Sequence, residues 1–446
     1  MRVQVLVLAA ATAAAVTLKA ATPKITFTDT KLKNGLRVLI AEDHHAPVFS
    51  VALAYNVGSR DERPGRTGFA HLFEHMMFKG SENVGPGEQF TLIFNNGGSM
   101  NGTTNEDRTL YYDTLPANQL DMALFLEADR MRSLEITKEN LDNQRQAVQE
   151  ERRLRVDNVP YGPSSERFGE VAYSNPAYRH SVIGSMADLS AATVQDVSAF
   201  FKTYYAPNNA VMAIAGDVNA AQALAKVRQY FDAIPSQPAP PPMDMTEPAQ
   251  TKEKRETMAD GLARFPRVTL GYHVPPSSHT DTEALSVLAT VLTGGRSSRM
   301  YETLVRQKQL TTGVGAGLNG RRGPQLFMLN ATASPGKTIA DIESAIYAEI
   351  ERIKTEPIQS WELDKARNNA KRNIVGGLGN SLNTAVSLAE NALAYNDPGL
   401  INTQIDRINK VTAADVQRVA KQYFGEANRT VLITTPKPAA APKGGR

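Results

Sequence analysis

The sequence predicts an α+β chain in which two homologous α/β-sandwich domains stand in tandem, and three observations carry that expectation. Near the end of each half the same unit recurs. Asp196-Val197 leads through Phe200-Phe201-Lys202 and Tyr204-Tyr205 to Asn209 and the apolar run 211–214. Asp415-Val416 leads through Val419-Ala420-Lys421 and Tyr423-Phe424 to Asn428 and the run 431–433. Each reads as a helix opened by a threonine, Thr193 or Thr412, then a break and a buried strand. The halves also begin alike, with Val51-Ala52-Leu53-Ala54-Tyr55 and Val268-Thr269-Leu270-Gly271-Tyr272 as strand-like runs ahead of helix-rich stretches. Between the halves, residues 235–248 hold six prolines and almost no periodicity, the composition of an extended, semi-rigid connector. Matching order at both ends favours duplication over two chance helix–strand units.

Taken in order, the chain opens with Met1-Arg2 and an alanine-rich apolar run, 3–18, too short for a comfortable membrane span and without a polar face. Residues 1–21 read as a secretory signal peptide cleaved near Ala20 or Ala21, which implies an exported, periplasmic protein. Residues 24–234 are the expected first domain, 235–250 the linker and 251–435 the second domain. Residues 436–446, rich in Pro, Ala, Lys and Gly, read as a disordered tail. Inside the first domain, Asn95-Asn96-Gly97-Gly98 is a turn signal ahead of two strands, Ser99-Met100-Asn101-Gly102-Thr103-Thr104 and Thr109-Leu110-Tyr111-Tyr112. Residues 141–155 read as a helix.

Composition removes whole classes of function. At 446 residues the chain exceeds one comfortable core, so two domains fit its length. A hydrophobic share of 41% is ordinary for a globular protein and implies no stable membrane insertion. Forty-nine basic against 46 acidic residues, a net +3 that falls to +1 once Arg2 and Lys19 leave with the signal, is too balanced for an electrostatic nucleic-acid binder. The absence of cysteine excludes disulfides, thiolate nucleophiles, iron–sulfur clusters and cysteine-held zinc. Any metal must sit on His, Asp or Glu, and there are seven histidines to place.

The informative pair lies in His71-Leu72-Phe73-Glu74-His75. Helical rise and twist put His71 and His75 one turn apart on one face with Glu74 beside them. Two neutral imidazoles at that spacing can grip one zinc ion and leave the carboxylate to act on a bound water. A catalytic zinc needs a third protein ligand. On a helix over 141–155, Gln144, Ala147, Val148 and Glu151 share a face, and the apolar Ala147 and Val148 mark it as the buried one. Glu151 therefore reaches inward, and Glu150 falls with Arg152 and Arg153 near the solvated side. His44 and His45 read as surface loop residues, while His180, His273 and His279 read as structural or solvent-facing.

With HxxEH and a glutamate in Val148-Gln149-Glu150-Glu151-Arg152, the chain resembles the pitrilysin family of inverted zincins, in its small bacterial branch similar to mitochondrial processing peptidase. The likeness runs through Pro160-Tyr161-Gly162, Ile183-Gly184-Ser185 and Tyr205-Ala206-Pro207-Asn208-Asn209. It implies a zinc-dependent endopeptidase with one zinc ion per chain, His71, His75 and Glu151 as ligands and Glu74 as general base. It also implies peptide substrates paired along an edge strand made by Asn101, Gly102, Thr103 and Thr104, and a two-domain chain forming one half of a clamshell-like peptidase.

Three positions depart from the resembled pattern. Gln144 stands where the family often has a second glutamate. Asn175-Pro176-Ala177-Tyr178 replaces its His-Pro-Tyr. Arg306 matches the family's substrate-contacting arginine, but the tyrosine expected shortly after it is missing from Gln309-Leu310-Thr311-Thr312. The resemblance then implies a heteromeric partner of similar fold that supplies an arginine–tyrosine pair, with a homodimer as the second choice. A non-catalytic binding or scaffolding subunit is the competing class; such a chain is expected to lose parts of HxxEH, and this one keeps them all.

Overall fold

The structure is a computed structural model that describes residues 24–437; the expected signal peptide, and the expected tail beyond residue 437, lie outside the described residues. The first sheet contains β1 (Thr28–Lys31), β2 (Arg37–Glu42), β3 (Val48–Tyr55), β4 (Ser99–Thr104), β5 (Thr109–Pro116) and β6 (Ala210–Gly216), in the order β1-β2-β6-β3-β5-β4. The second contains β7 (Lys254–Asp260), β8 (Arg267–Val274), β9 (Thr311–Leu318), β10 (Gln325–Ala333) and β11 (Arg429–Pro436), in the order β7-β11-β8-β10-β9. Without β1 the two orders are the same, and so are the directions. The β2–β6 and β7–β11 pairs are parallel and the others antiparallel. The predicted tandem α+β architecture is what the chain forms.

The helices of eight or more residues among those described are α1 (Phe69–Met76), α2 (Glu88–Asn95), α3 (Leu120–Ser133), α4 (Lys138–Arg152), α5 (Gly162–Ala172), α6 (Val194–Tyr204), α7 (Ala220–Phe231), α8 (Thr282–Thr293), α9 (Ile339–Thr355), α10 (Ser360–Gly377), α11 (Ser381–Tyr395) and α12 (Ala413–Tyr423). Repeated residues do repeated work in them. Thr193 and Asp196 close a capping box on α6, and Thr412 and Asp415 close the same box on α12. After α6 the Asn209 Nδ2 donates to Tyr204 O at 2.8 Å, and after α12 the Asn428 Nδ2 donates to Tyr423 O at 2.8 Å. These two bonds satisfy carbonyls that the helix ends leave unpaired.

Alternation along β3 sends Phe49, Val51, Leu53 and Tyr55 to one face, where they pack with Leu72, Phe73 and Met76 of α1, Leu124 of α3 and Val148 of α4. The opposite face is lined with small residues, Ala52, Ala54, Ala213 and Ala215, and is covered by Ala385, Leu388, Ala389 and Ala392 of α11, a helix from the second half. The exchange is mutual. Phe168 and Ala172 of α5, a first-half helix, lie against Leu326 and Leu432 of the second sheet. Gly271 on β8 makes room for them, since a Cβ there would come within 2.7 Å of Phe168 Cζ. Each sheet thus has one face covered by its own half and one by the other.

The glycine signal at 95–98 ends a helix rather than turning a hairpin, with α2 stopping at Asn95 and Gly97 taking φ +76°. The β4–β5 turn is made instead by Asn105, whose Oδ1 accepts the N–H groups of Asp107 at 2.8 Å and Arg108 at 2.9 Å. This turn meets the β9–β10 turn of the second sheet. Asp107 accepts from Arg60 Nη1 at 2.7 Å, Tyr178 OH at 2.8 Å and Arg322 N at 2.9 Å, and Arg321 pairs with Glu106. Residues 235–251 form no regular element, but Asn175 Nδ2 holds Asp244 O at 3.0 Å and Thr246 O at 2.9 Å. The Asn175-Pro176-Ala177-Tyr178 segment therefore anchors the connector and, through Tyr178, the meeting of the two turns.

Candidate metal centre

Helix α1 starts at Gly68, whose φ of +86° suits glycine and whose missing side chain leaves the first N–H groups uncapped. Glu62 supplies the cap from outside the helix: its carboxylate accepts Gly68 N–H at 2.8 Å and Ala70 N–H at 2.7 Å. His180 Nε2 lies 2.9 Å from Glu62 Oε2, and its Nδ1 lies 3.0 Å from Pro176 O. Burial alone would push the His180 imidazole down, but the Glu62 carboxylate and the surrounding carbonyls outweigh it and raise it, so this histidine braces the cap. Gly184 closes the other side, for a Cβ at Gly68 would lie 2.5 Å from Ile183 O and one at Gly184 2.3 Å from Thr67 O. The start of α1 is pinned, and with it the rotation of every side chain the helix presents.

That rotation brings His71 and His75 edge to face, ring centroids 4.8 Å apart, opposite Glu151 at the end of α4. His75 Nε2 lies 3.2 Å from Glu151 Oε2, and His71 Nε2 lies 3.6 Å from the same oxygen. Ligand atoms about 2.1 Å from one tetrahedral ion stand about 3.4 Å apart, so the spacing and the donor set of two imidazoles and one carboxylate both fit zinc. Among the described residues no other group of His, Asp or Glu side chains converges in this way. His75 Nδ1 faces Gln144 Oε1 at 3.3 Å, which orients the ring with Nε2 turned to Glu151. Gln144 thus does for His75 what a carboxylate could do there. Burial pushes the His71 imidazole down to about 4, aided by its neighbour His75, which leaves it neutral at physiological pH. The hydrogen bond from His75 holds Glu151 below the usual carboxylate range against its partial burial, and Arg155 Nη1 takes the second oxygen at 2.8 Å.

Glu74 is buried beside this group. Its Oε2 accepts Thr104 Oγ1 at 2.6 Å, and a Cβ at Gly102 would fall 2.9 Å from its Cγ. Burial raises the Glu74 carboxyl above its ordinary value, with the Thr104 bond opposing, and a carboxylate moved toward neutrality is a better proton acceptor at neutral pH. Among the described residues strand β4, which carries Asn101, Gly102, Thr103 and Thr104, is an edge of its sheet and pairs with β5 alone. Its polar groups have partners within the chain: Asn101 Oδ1 accepts Gly102 N–H at 2.9 Å, and Thr103 O and Oγ1 accept Arg108 Nη1 at 2.8 and 2.9 Å.

One sequence expectation changes. Ala147 is exposed rather than buried, while its neighbours on that face of α4, Gln144 and Val148, are buried. Arg306 belongs to the second half. It lies on the wide helical turn Tyr301–Gln307, its side chain is exposed, and it pairs with Glu302 at 3.2 Å. The position of the expected tyrosine is a bulge in which Thr311 is buried, its hydroxyl bonded to Thr332 O at 2.5 Å. Glu150 is exposed and pairs with Arg153. Sequence reasoning missed Glu62 and gave the structural His180 no partner, although a carboxylate six residues ahead of an uncapped helix start was a readable signal.

Two family models match the chain: "Insulinase (Peptidase family M16)" over residues 37–172 and "Peptidase M16 inactive domain" over residues 191–370. The zinc protease PqqE of Helicobacter pylori is 31% identical over 408 residues, covering 91% of this chain and 92% of that one. The crystal structure of a protease from Helicobacter pylori superposes with a TM-score of 0.89 at 31% identity, covering 93% of this chain and 100% of that one. The periplasmic protease PqqL from Escherichia coli shares the fold alone, with a TM-score of 0.77 at 19% identity, and this chain covers 50% of its length. On the identity and coverage of these matches, the chain belongs to the insulinase family, peptidase family M16, the family its HxxEH segment resembles.

Proposed function

We propose that this chain is a zinc-dependent endopeptidase that hydrolyses peptides or small unfolded polypeptides. The observation that carries the reading is the convergence of His71, His75 and Glu151, with Glu74 buried at their side beneath an edge strand. His71, His75 and Glu151 would hold one zinc ion, which when bound lowers the pKa of its water toward neutrality and polarises the peptide carbonyl. Gln144 fixes the His75 ring, and Arg155 fixes Glu151. Glu74 takes the proton of the attacking water and passes it to the leaving amine. The Thr104 hydroxyl holds one of its oxygens while the other faces Gly102 and the strand edge. A peptide laid along β4 gains backbone pairing with little demand on its sequence. Asn101, Gly102, Thr103 and Thr104 then flank it, and the Asn101–Gly102 bond yields to it.

The assembly and location belong to the same proposal. The chain acts as one half of a clamshell, exported to the periplasm by its signal sequence, with a heteromeric partner of similar fold closing the chamber and a homodimer as the alternative. Support comes from the exposed Arg306, which lacks its tyrosine, and from PqqL, in which this fold occupies half of a longer chain. The non-catalytic alternative draws on the inactive-domain match, but that match spans residues 191–370 and leaves the HxxEH segment and Glu151 outside it. Zinc analysis with a quenched-peptide assay, run with and without chelator, tests the chemistry. One zinc per chain and chelator-sensitive cleavage are expected; a metal-free chain that binds peptide without cleaving it would overturn the reading. Sedimentation of the purified chain tests the assembly, and a fully active homodimer would remove the heteromeric partner.

A further inference from the structure

Beside the metal-binding group, a cavity of about 460 Å³ opens between the two halves, and three of its lining residues are arginines: Arg155, Arg267 and Arg321. It connects to the proposed chemistry at two points. Arg155 holds Glu151, and Glu106 stands two residues past Thr104, which holds Glu74. A peptide following β4 past Glu74 therefore runs toward this cavity.

The acids near the cavity are already spoken for. Glu106 pairs with Arg321, Glu166 is bound by both Nη groups of Arg152 at 2.7 and 2.8 Å, and Glu151 pairs with Arg155. Arg267 differs. Its Nε donates to Thr332 Oγ1 at 2.9 Å, its guanidinium lies 3.5 Å from the centroid of the Tyr161 ring, and it makes no ion pair among the described residues. Burial lowers its pKa, with no carboxylate nearby to compensate. The plate beneath it is rigid. Tyr161 sits at φ +66°, its N–H is held by Asp260 Oδ2 at 2.6 Å and its hydroxyl by Phe265 O at 2.8 Å. Anchored at Nε and backed by a ring, the guanidinium keeps both Nη groups for a planar two-oxygen acceptor. Phe168, Leu326 and Met328 add apolar surface to the cavity lining.

We propose that this cavity is a carboxylate-binding subsite, in which Arg267 receives an acidic side chain or the C-terminal carboxylate of the bound peptide. The inference rests on the peptidase reading and adds a charge preference to it. Its test is fluorescence anisotropy with short labelled peptides on the zinc-loaded full chain carrying Glu74→Gln, so that the peptides stay intact. A glutamate moved stepwise along the peptide is compared with its glutamine twin, and each peptide is made as free acid and as amide.

At one position the glutamate peptide should bind about 10-fold more tightly than its twin, the worth of a charge-assisted hydrogen-bond pair. In Arg267→Met that ratio should fall below about 2-fold, with Arg267→Gln as a second charge-free variant and Arg267→Lys restoring part of the ratio. If amidation instead of the glutamine substitution removes the preference, the chain end is the occupant and the subsite stands. Equal affinities of the glutamate, glutamine, free-acid and amide peptides in the parent, no measurable binding of any of them, or an unchanged preference in both charge-free variants would overturn it. Hydrolysis by the chain without the Glu74 substitution is read separately, so a failure there counts against the peptidase reading alone.

Discussion

The two halves share a sheet order, a pair of capping boxes and an asparagine tie, yet among the described residues only the first gathers side chains that could hold a metal. In the first, α1 packs beside α4 and brings His71 and His75 to Glu151. In the second, α8 packs beside α10 in the same manner, but neither helix carries a histidine. Their acids Glu283 and Glu362 are taken by Arg407 and Arg299. The same scaffold thus carries a group that could hold a metal in one half and ion pairs between its helices in the other. Fold and site are separable, and function must be argued from the side chains.

The severest way to break this comparison is to part the halves. Residues 24–234 expressed alone lose α11 from the Ala52 and Ala54 face, and residues 251–437 lose α5 from the Leu432 face. Neither fragment should show a cooperative thermal transition, and co-expression should restore one; two independently folding fragments would show that the helix exchange is dispensable. Next in size is a matched pair of substitutions. Glu151→Gln should lose zinc and lower peptide hydrolysis at least about 100-fold. Glu362→Gln, at the buried Arg299 pair, should leave zinc content unchanged while costing about 3 kcal/mol in denaturant unfolding. Zinc loss in both would mean that the halves are coupled through more than packing.

Smaller again is Gln144→Ala, which frees the His75 ring and should weaken zinc binding about 10-fold, read by competition with a chelating dye. The least is a capping pair. Thr193→Ala and Thr412→Ala should each cost about 1 kcal/mol, and by similar amounts if the repeat is energetically real. Both capping acids sit below the usual carboxylate range. For Asp415 the hydrogen bond from Thr412 is the main cause, whereas for Asp196 burial acts upward and is outweighed by Thr193 and Arg66. A depressed folded pKa gives stability that is present above the unfolded value of 3.8 and lost as pH falls through the folded one. Each alanine variant should therefore lose stability less steeply than the parent below about pH 4.

Much of this was legible in the residues. Local rules carried the capping threonines, the strand runs and the histidines one turn apart, because each depends on neighbours within four positions. The helical face separated Glu151 from Glu150, although Ala147 supported that choice for a wrong reason, being exposed. What stayed hidden was long-range. An alanine-rich helix such as α11 reads the same whichever sheet it covers, so the exchange with α5 left no local trace. The Glu62–His180 cap joins residues 118 apart, and the free guanidinium of Arg267 becomes visible only when its surroundings are three-dimensional.

On the proposed reading, one metal-binding group with one adjacent base makes the first half the working half. The most direct test is Glu74→Gln in the full chain, with zinc content and chelator-sensitive peptide hydrolysis measured on the same sample. One zinc per chain retained with hydrolysis lowered about 100-fold or more is the predicted result. Full hydrolysis by that variant, or a parent chain that binds no zinc, would contradict it.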